Sequence, residues 1–416
     1  MEPSCAELRT ASGQVRPRTV ISRRSCYQST LTQENGEKAP FPLCTSRDLS
    51  RGSVWYSHTQ KPRMTGGDDE QKINSQWTLP TTKGVNSLVL VPDATLGSPE
   101  ANKVRVKLHA ASLNYRDLMV AKGLSPGEYR VGVVPGSDGS GVVEAVGSAV
   151  SKFKPGDRVI THMCPNTSDD HMPVFKNIGE GLGQGVDGTL REYGNFPESA
   201  LIQAPKNLSF EQSATLTCSG LTAWNALFGQ KEQEATAGSW ILVQGTGGVS
   251  VAALQFAASS GANVVATTSN SEKAKLLIEL GAKHVVNYRE TPEWATEARK
   301  LTPESRGFDL IVDVGGESTL PQSLQAVRTD GVIALTGLLG GSVPEPVPML
   351  KALWYTCTVR GILLGSRNQF RDMVKFVEEK DVRPVIDFRT WDLIEVKRAY
   401  DWLENQKHFS KVVIKI

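Results

Sequence analysis

Between residues 87 and 197 the apolar positions fall in short β-branched runs cut by Gly and Pro. "SLVLVPD" (87–93), "KVRVKLHAASL" (103–113), "GVVEAVG" (141–147) and "DRVITH" (157–162) are the clearest. Runs of this length between turn residues predict strands, and "KPGDRV" (154–159) opens one on a Pro-Gly-Asp turn. Together they predict an all-β, barrel-like domain. Within it, residues 163–194 are long, polar and Gly-rich, which predicts a loop over a cleft that shapes the pocket.

After residue 208 the pattern changes. "SFEQSATLTCSGLTAWNALF" (209–228) has helical spacing, and apolar strands then alternate with amphipathic helices. "WILVQG" (240–245) precedes a helix over 248–259, and "ANVVATT" (262–268) precedes one over 272–280. "HVVNY" (284–288) leads to the helical 292–301, "FDLIVDVGG" (308–316) to the helical 320–328, and "GVIALTGLL" (331–339) closes the series. Continuous apolar strands alternating with helices predict a parallel sheet covered on both faces. The expected organisation is a β domain over 71–211, an α/β domain over 212–361, and a segment over 362–416. The final strand "KVVIKI" (411–416) is expected to return to the first domain. Residues 1–70 are rich in Arg, Ser, Thr and Gln without apolar periodicity, and are expected to be a disordered extension.

A net charge of +2 gives no electrostatic case for nucleic acid or an acidic membrane as partner. No apolar run approaches the ~18 residues of a membrane span. Six cysteines without a CxxC pair fit a reducing compartment, so the expected location is cytoplasmic. The Arg- and Ser-rich start makes mitochondrial import the second expectation, against which Glu2 and Glu7 speak.

The sharpest chemistry is at residues 240–261. A buried strand runs into Gly245, Thr246, Gly247, Gly248 and Val249, with Ser250 where a third glycine would stand, and a helix begins at once. Glycines permit close backbone approach, and a helix N-terminus offers free N–H groups to a pyrophosphate. An ordinary βα turn is the competing reading. The next strand ends in Thr268, Ser269 and Asn270, with Lys273 a turn later. NAD-selective sites place a carboxylate there for the ribose 2′-OH. Its absence favours NADP(H), with Lys273 either on the 2′-phosphate or simply solvated, and Tyr288 a weaker contributor.

In order, "AASLNYRDL", "VPGSDGSGVVEAVG", "KPGDRV", "TCSGLTAWNAL", "VQGTGGVS" and "KVVIKI" resemble the medium-chain dehydrogenase/reductase superfamily. The similarity is closest to its zinc-less quinone oxidoreductase-like and alcohol dehydrogenase-like branch, and it covers residues 87–416. It implies a GroES-like β-barrel catalytic domain, a Rossmann doubly wound domain, a nicotinamide in the cleft between them, and a homodimer. It also implies that the three catalytic zinc ligands of metal-dependent members correspond to Asn114, Ser137 and Cys218. One thiol cannot supply the three protein ligands that such a zinc needs, so no metal is expected. His162, Cys164 and His171 are read as uncoordinated loop residues.

Without a Lewis acid, the expected substrate is a quinone or an α,β-unsaturated carbonyl, whose negative charge delocalises away from the hydride. Asn114 is read either as a donor to substrate or cofactor, or as a loop cap. Tyr115 is either a hydroxyl donor or a packing residue. Thr222 matches a family position beside the nicotinamide, while Cys218 is read as a buried filler. Gly315 and Leu338 end strands at the ligand-binding edge, and Arg367 is placed at the pyrophosphate. The competing functions are an alcohol dehydrogenase or ketoreductase using Tyr115 as proton relay, and a low-turnover NADPH-binding protein.

Overall fold

The computed structural model describes residues 71–416; the extension expected over 1–70 lies outside them. β1 (Lys72–Thr78) and β2 (Val89–Leu96) form an antiparallel pair. A seven-stranded sheet then takes β3 (Lys103–Leu113), β4 (Asp138–Val146), β5 (Arg158–Thr161), β6 (Tyr193–Pro197) and β7 (Leu201–Gln203). The length of β3 lets it serve three neighbours. Its first half pairs with β6, its second half with the C-terminal strand, and its other edge with β4. Gly141 permits the β3–β4 approach, because a Cβ there would stand 2.1 Å from the Lys107 carbonyl oxygen. Within the stretch over 163–194, expected as a loop over a cleft, residues 177–191 are largely packed. Leu182 and Gln184 are buried, and the Gln184 amide donates to the Pro126 carbonyl at 2.9 Å.

The second sheet comprises β8 (Trp240–Gln244), β9 (Asn263–Thr268), β10 (Ala282–Asn287), β11 (Phe308–Asp313), β12 (Val327–Leu335) and β13 (Thr358–Gly361). Every pairing is parallel, in the order β10-β9-β8-β11-β12-β13. This is the doubly wound arrangement, with the order reversing at β8. Alternation along the strands explains the two covered faces. Ile241 and Val243 join one core, while Trp240 and Leu242 join the other. The helix after β8 spans Gly248–Ser259, as its spacing predicts. β14 (Ile386–Asp392) and β15 (Lys411–Lys415) rejoin the first sheet, β15 antiparallel to the end of β3.

The helical stretch predicted over 209–228 is broken into three pieces. Helices over Phe210–Ala214 and Leu221–Phe228 flank a π-helical turn over Leu216–Gly220. Such an insertion re-aims the residues it contains, here Cys218 and Ser219.

A short helix, Tyr115–Ala121, starts where β3 ends, and Asp117 closes its first turn by accepting the Asn114 backbone N–H at 2.8 Å. Asp117 is fully buried, and this burial, with Asp138 adding and Arg116 opposing, raises its carboxyl from 3.8 to about 6. The folded protein therefore holds this proton longer than the unfolded chain, and stability falls as pH rises through that window. Asp117→Asn removes the titration. Its stability relative to the parent is expected to improve by about 2–3 kcal/mol between pH 4 and pH 7. Urea unfolding at both pH values measures this, and an offset that ignores pH would show that ionising Asp117 costs the fold nothing.

Candidate active site

The turn after β8 is built as an open cradle. Gly245 has φ +78° and donates its N–H to the Thr267 carbonyl at 2.9 Å. A side chain on Gly245 or Gly247 would meet no atom within 4 Å, so space is left directly above the backbone. Gly247 starts the Gly248–Ser259 helix without a side-chain cap, leaving first-turn N–H groups for a ligand. Ser250, in place of the third glycine, donates to the Gln244 carbonyl at 2.6 Å and so anchors the turn to its own strand. These features fit a dinucleotide pyrophosphate. The Thr246 carbonyl accepts from the Ser410 N–H at 2.9 Å, which ties the turn to the start of β15.

At the far end of this cradle β9 finishes in buried Thr268. Asn270 caps the next helix, its side chain accepting from the N–H groups of Glu272 and Lys273 at 2.8 and 3.0 Å. The Lys273 ammonium donates to the His408 carbonyl at 2.8 Å, and its partial burial lowers its pKa. Burial, with Lys273 and Lys411 adding, lowers the His408 imidazole to about 4. Tyr288 joins Thr268 through its backbone N–H, and its ring is half exposed. Thr268, Ser269, Lys273 and Tyr288 thus gather at one end of the sheet.

Asp313, which sequence reasoning passed over, organises the neighbouring edge. Its carboxylate accepts from Gly315 N–H, Gly316 N–H and Thr319 Oγ1 at 3.1, 2.9 and 2.6 Å. Leu338 lies exposed beside this turn. Arg367 has another task than the one expected. It donates to Asp169 and to Thr167 and the Cys164 carbonyl, so its guanidinium pins the 164–169 segment and is nearly spent.

The residues at the expected metal positions form a different constellation. Asn114 is buried, yet its side chain does not cap the helix it precedes. Its Oδ1 instead accepts from the Lys411 ammonium and from Ser219 Oγ, the latter at 3.3 Å. Its Nδ2 is buried with no acceptor among the described residues. Lys411 also donates to the Leu113 carbonyl at 3.0 Å and to Asp138 at 3.3 Å. Asp138 in turn accepts from the Ser137 hydroxyl at 2.8 Å. Neither Asn114 nor Asp138 announces the lysine in sequence; only the start of β15 against the end of β3 reveals it. Tyr115, next to Asn114, is 47% exposed, and Thr222 is buried in the helix that follows the π-turn.

This set does not fit a zinc ion. An amide oxygen already accepting twice and a hydroxyl already donating to a carboxylate are poor ligands. Burial, with Asp138 adding, raises the Cys218 thiol to about 12, whereas zinc binds a thiolate. The Lys411 ammonium would repel a dication at this spot. Nor do the loop histidines converge. His162 has one ring nitrogen at the Gly365 carbonyl (3.2 Å) and the other at the Cys164 backbone N–H (3.3 Å), and burial lowers it to about 4. His171 pairs with Asn177 at 3.1 Å.

Residues 100–206 match the alcohol dehydrogenase GroES-like domain, and residues 248–379 the zinc-binding dehydrogenase family. A zinc-type alcohol dehydrogenase-like protein of Schizosaccharomyces pombe is 45% identical over 317 residues, spanning 76% of this chain and 91% of its own. A mouse quinone oxidoreductase is 28% identical over 310 residues, 73% of this chain and 86% of its own. The crystal structure of a putative alcohol dehydrogenase from Sinorhizobium meliloti 1021 superposes with a TM-score of 0.76 at 36% identity, covering 83% of this chain and 99% of that one. A barrel and a doubly wound sheet joined by the returning C-terminal strand, an open Gly-rich cradle and these matches along the chain agree: the protein belongs to the medium-chain dehydrogenase/reductase superfamily, as an oxidoreductase that uses a nicotinamide cofactor.

Proposed function

We propose that the chain is an NADPH-dependent, zinc-independent reductase of α,β-unsaturated carbonyls or quinones. The observation that carries this reading is the Asn114 carboxamide, whose buried Nδ2 has no acceptor among the described residues while its Oδ1 is held twice. A buried unmet donor is costly, and a ligand oxygen is the partner that relieves it. Gly245, Gly247 and the N–H groups opening the Gly248–Ser259 helix would hold the cofactor, which supplies a hydride when bound. Asn114 then donates to the oxygen on which charge develops. One amide donor offers less than a Lewis-acidic metal, which favours acceptors that spread their own charge. Preference for the phosphorylated cofactor rests on the hydroxyls of Thr268 and Ser269 and the ammonium of Lys273. A cytoplasmic homodimer completes the reading. It is supported by sparse cysteines, by the lack of any described helix long and apolar enough to cross a membrane, and by the edge strand β13, preceded by exposed Leu353 and Trp354.

NADPH oxidation with 9,10-phenanthrenequinone, an enone and a simple ketone tests the assignment. The quinone and enone are expected to turn over at least tenfold faster than the ketone, with well under one equivalent of zinc and full activity after chelation. A faster ketone or chelator-sensitive zinc would reverse it.

Half-exposed Tyr115 beside Asn114 favours, as the second reading, a ketone reductase with the phenol as proton donor. Tyr115→Phe separates the two: an unchanged quinone rate with ketone turnover lost belongs to that second reading.

Cofactor choice is probed by Lys273→Ala with Ser269→Asp. Removing one positive charge and adding a negative one is expected to shift the NADPH/NADH preference by roughly 10–100-fold, read as dissociation constants from cofactor fluorescence. Equal weakening of both would place the 2′-phosphate elsewhere.

A further inference from the structure

We infer that Lys411 is a positioning residue for the reaction: its ammonium fixes which way the Asn114 carboxamide faces and so presents Nδ2 as the free donor. The inference rests on the reading of Asn114 as that donor. A lysine ammonium has three donors and no acceptor. Here the three find the Leu113 carbonyl, Asp138 Oδ2 and Asn114 Oδ1. Turning the carboxamide over would set its NH2 against this ammonium, donor against donor, and that bond would be lost. The Ser219 hydroxyl donates to Oδ1 as the amide stands but could accept from a flipped NH2, so the ammonium is the group that decides. The flip is thereby chosen by chemistry, and the buried Nδ2 that remains has no acceptor among the described residues.

Burial and packing keep the lysine from moving. Lys411 is 4% exposed and paired with fully buried Asp138. Its stem and Ser219 fill the space where Gly248 lacks a side chain: a Cβ there would come within 2.5 Å of Lys411 Cδ and 2.6 Å of Ser219 Oγ. The same lysine therefore abuts the first residue of the cofactor helix and orients the amide beside it. Any larger residue at position 248 would push both orienting groups off Asn114.

The test is a double-mutant cycle. Lys411→Met alone would strand the Asp138 charge, so it is made together with Asp138→Asn, which leaves no buried ion unpaired. This pair, Asn114→Ala and the combination are assayed with NADPH and 9,10-phenanthrenequinone. Asn114→Ala is expected to lower kcat about 100-fold, within the range for loss of one such donor. The Lys411 pair is expected to lower kcat about 10–100-fold with KM for the quinone changed less than threefold. Added to Asn114→Ala, it should cost less than about twofold more, since there is nothing left to orient.

A second readout needs no cofactor. In 15N-labelled protein the Asn114 side-chain NH2 pair, assigned by its absence in Asn114→Asp, should be sharp in the parent and shifted or broadened by the Lys411 pair of changes. An unmoved NH2 pair, or losses that multiply in full, would overturn the proposal while leaving Asn114 as donor. A parent-like rate for Asn114→Ala with a displaced NH2 pair would instead sink the donor reading. If the Lys411 double change does not fold, Lys411→Arg replaces it in the cycle, keeping the charge beside Asp138 while a planar guanidinium cannot put one nitrogen on all three of the lysine's acceptors. It is expected to cost several-fold in kcat alone and nothing on top of Asn114→Ala, and a loss that persists there would also overturn the proposal.

Discussion

The ion pair between Lys411 and Asp138, 3.3 Å apart with both side chains almost wholly out of water, is the constraint around which the protein is arranged. Burying two charges costs several kcal/mol per ion unless every lone pair and proton is met. Here the carboxylate has Ser112 and Ser137 hydroxyls at 3.1 and 2.8 Å, and the ammonium has a backbone carbonyl and an amide oxygen. The two charges sit on β15 and β4, which flank β3. A slip of one residue in either strand would turn a charge to the opposite face, so the pair enforces the register of three strands. It also couples the sheets, because the residue before Lys411 bonds to Thr246 in the cofactor turn.

That arrangement makes sense of an apparent conflict. The fold is one whose relatives are named for zinc, yet at the corresponding positions the Asn114 oxygen is held by Lys411 and Ser219 and the Ser137 hydroxyl by Asp138. An organic cation already lies among Asn114, Asp138 and Cys218, and the thiol there is held protonated. A site of this kind supplies oriented dipoles and little Lewis acidity.

Around the centre, carboxylates and guanidinium groups act as local scaffolding. Asp313 gathers two backbone N–H groups and two hydroxyls at the end of β11. Arg367 and Arg371 converge on Asp169 and fasten the 164–169 segment to the Arg367–Glu379 helix. Both clusters shape the rim of the fold while leaving the Gly-rich cradle open.

Much of this was legible along the chain. The runs at 103–113 and 240–245, the helix over 248–259 and the Gly-rich turn are written in local periodicity and in glycine placement, which depend on near neighbours alone. The resemblance to metal-dependent dehydrogenases likewise implied that Asn114, Ser137 and Cys218 make a poor metal set. The tertiary structure decided the rest. Arg367, expected at a pyrophosphate, found its carboxylate 198 residues away, and the helical stretch at 209–228 was interrupted by a π-turn that its apolar spacing does not encode. Lys411 reads in sequence as one polar residue opening a strand. It reaches Asn114, 297 residues earlier, only because β15 pairs with the end of β3. The energetic value of that contact comes from burial, a property no stretch of sequence possesses until the two strands meet.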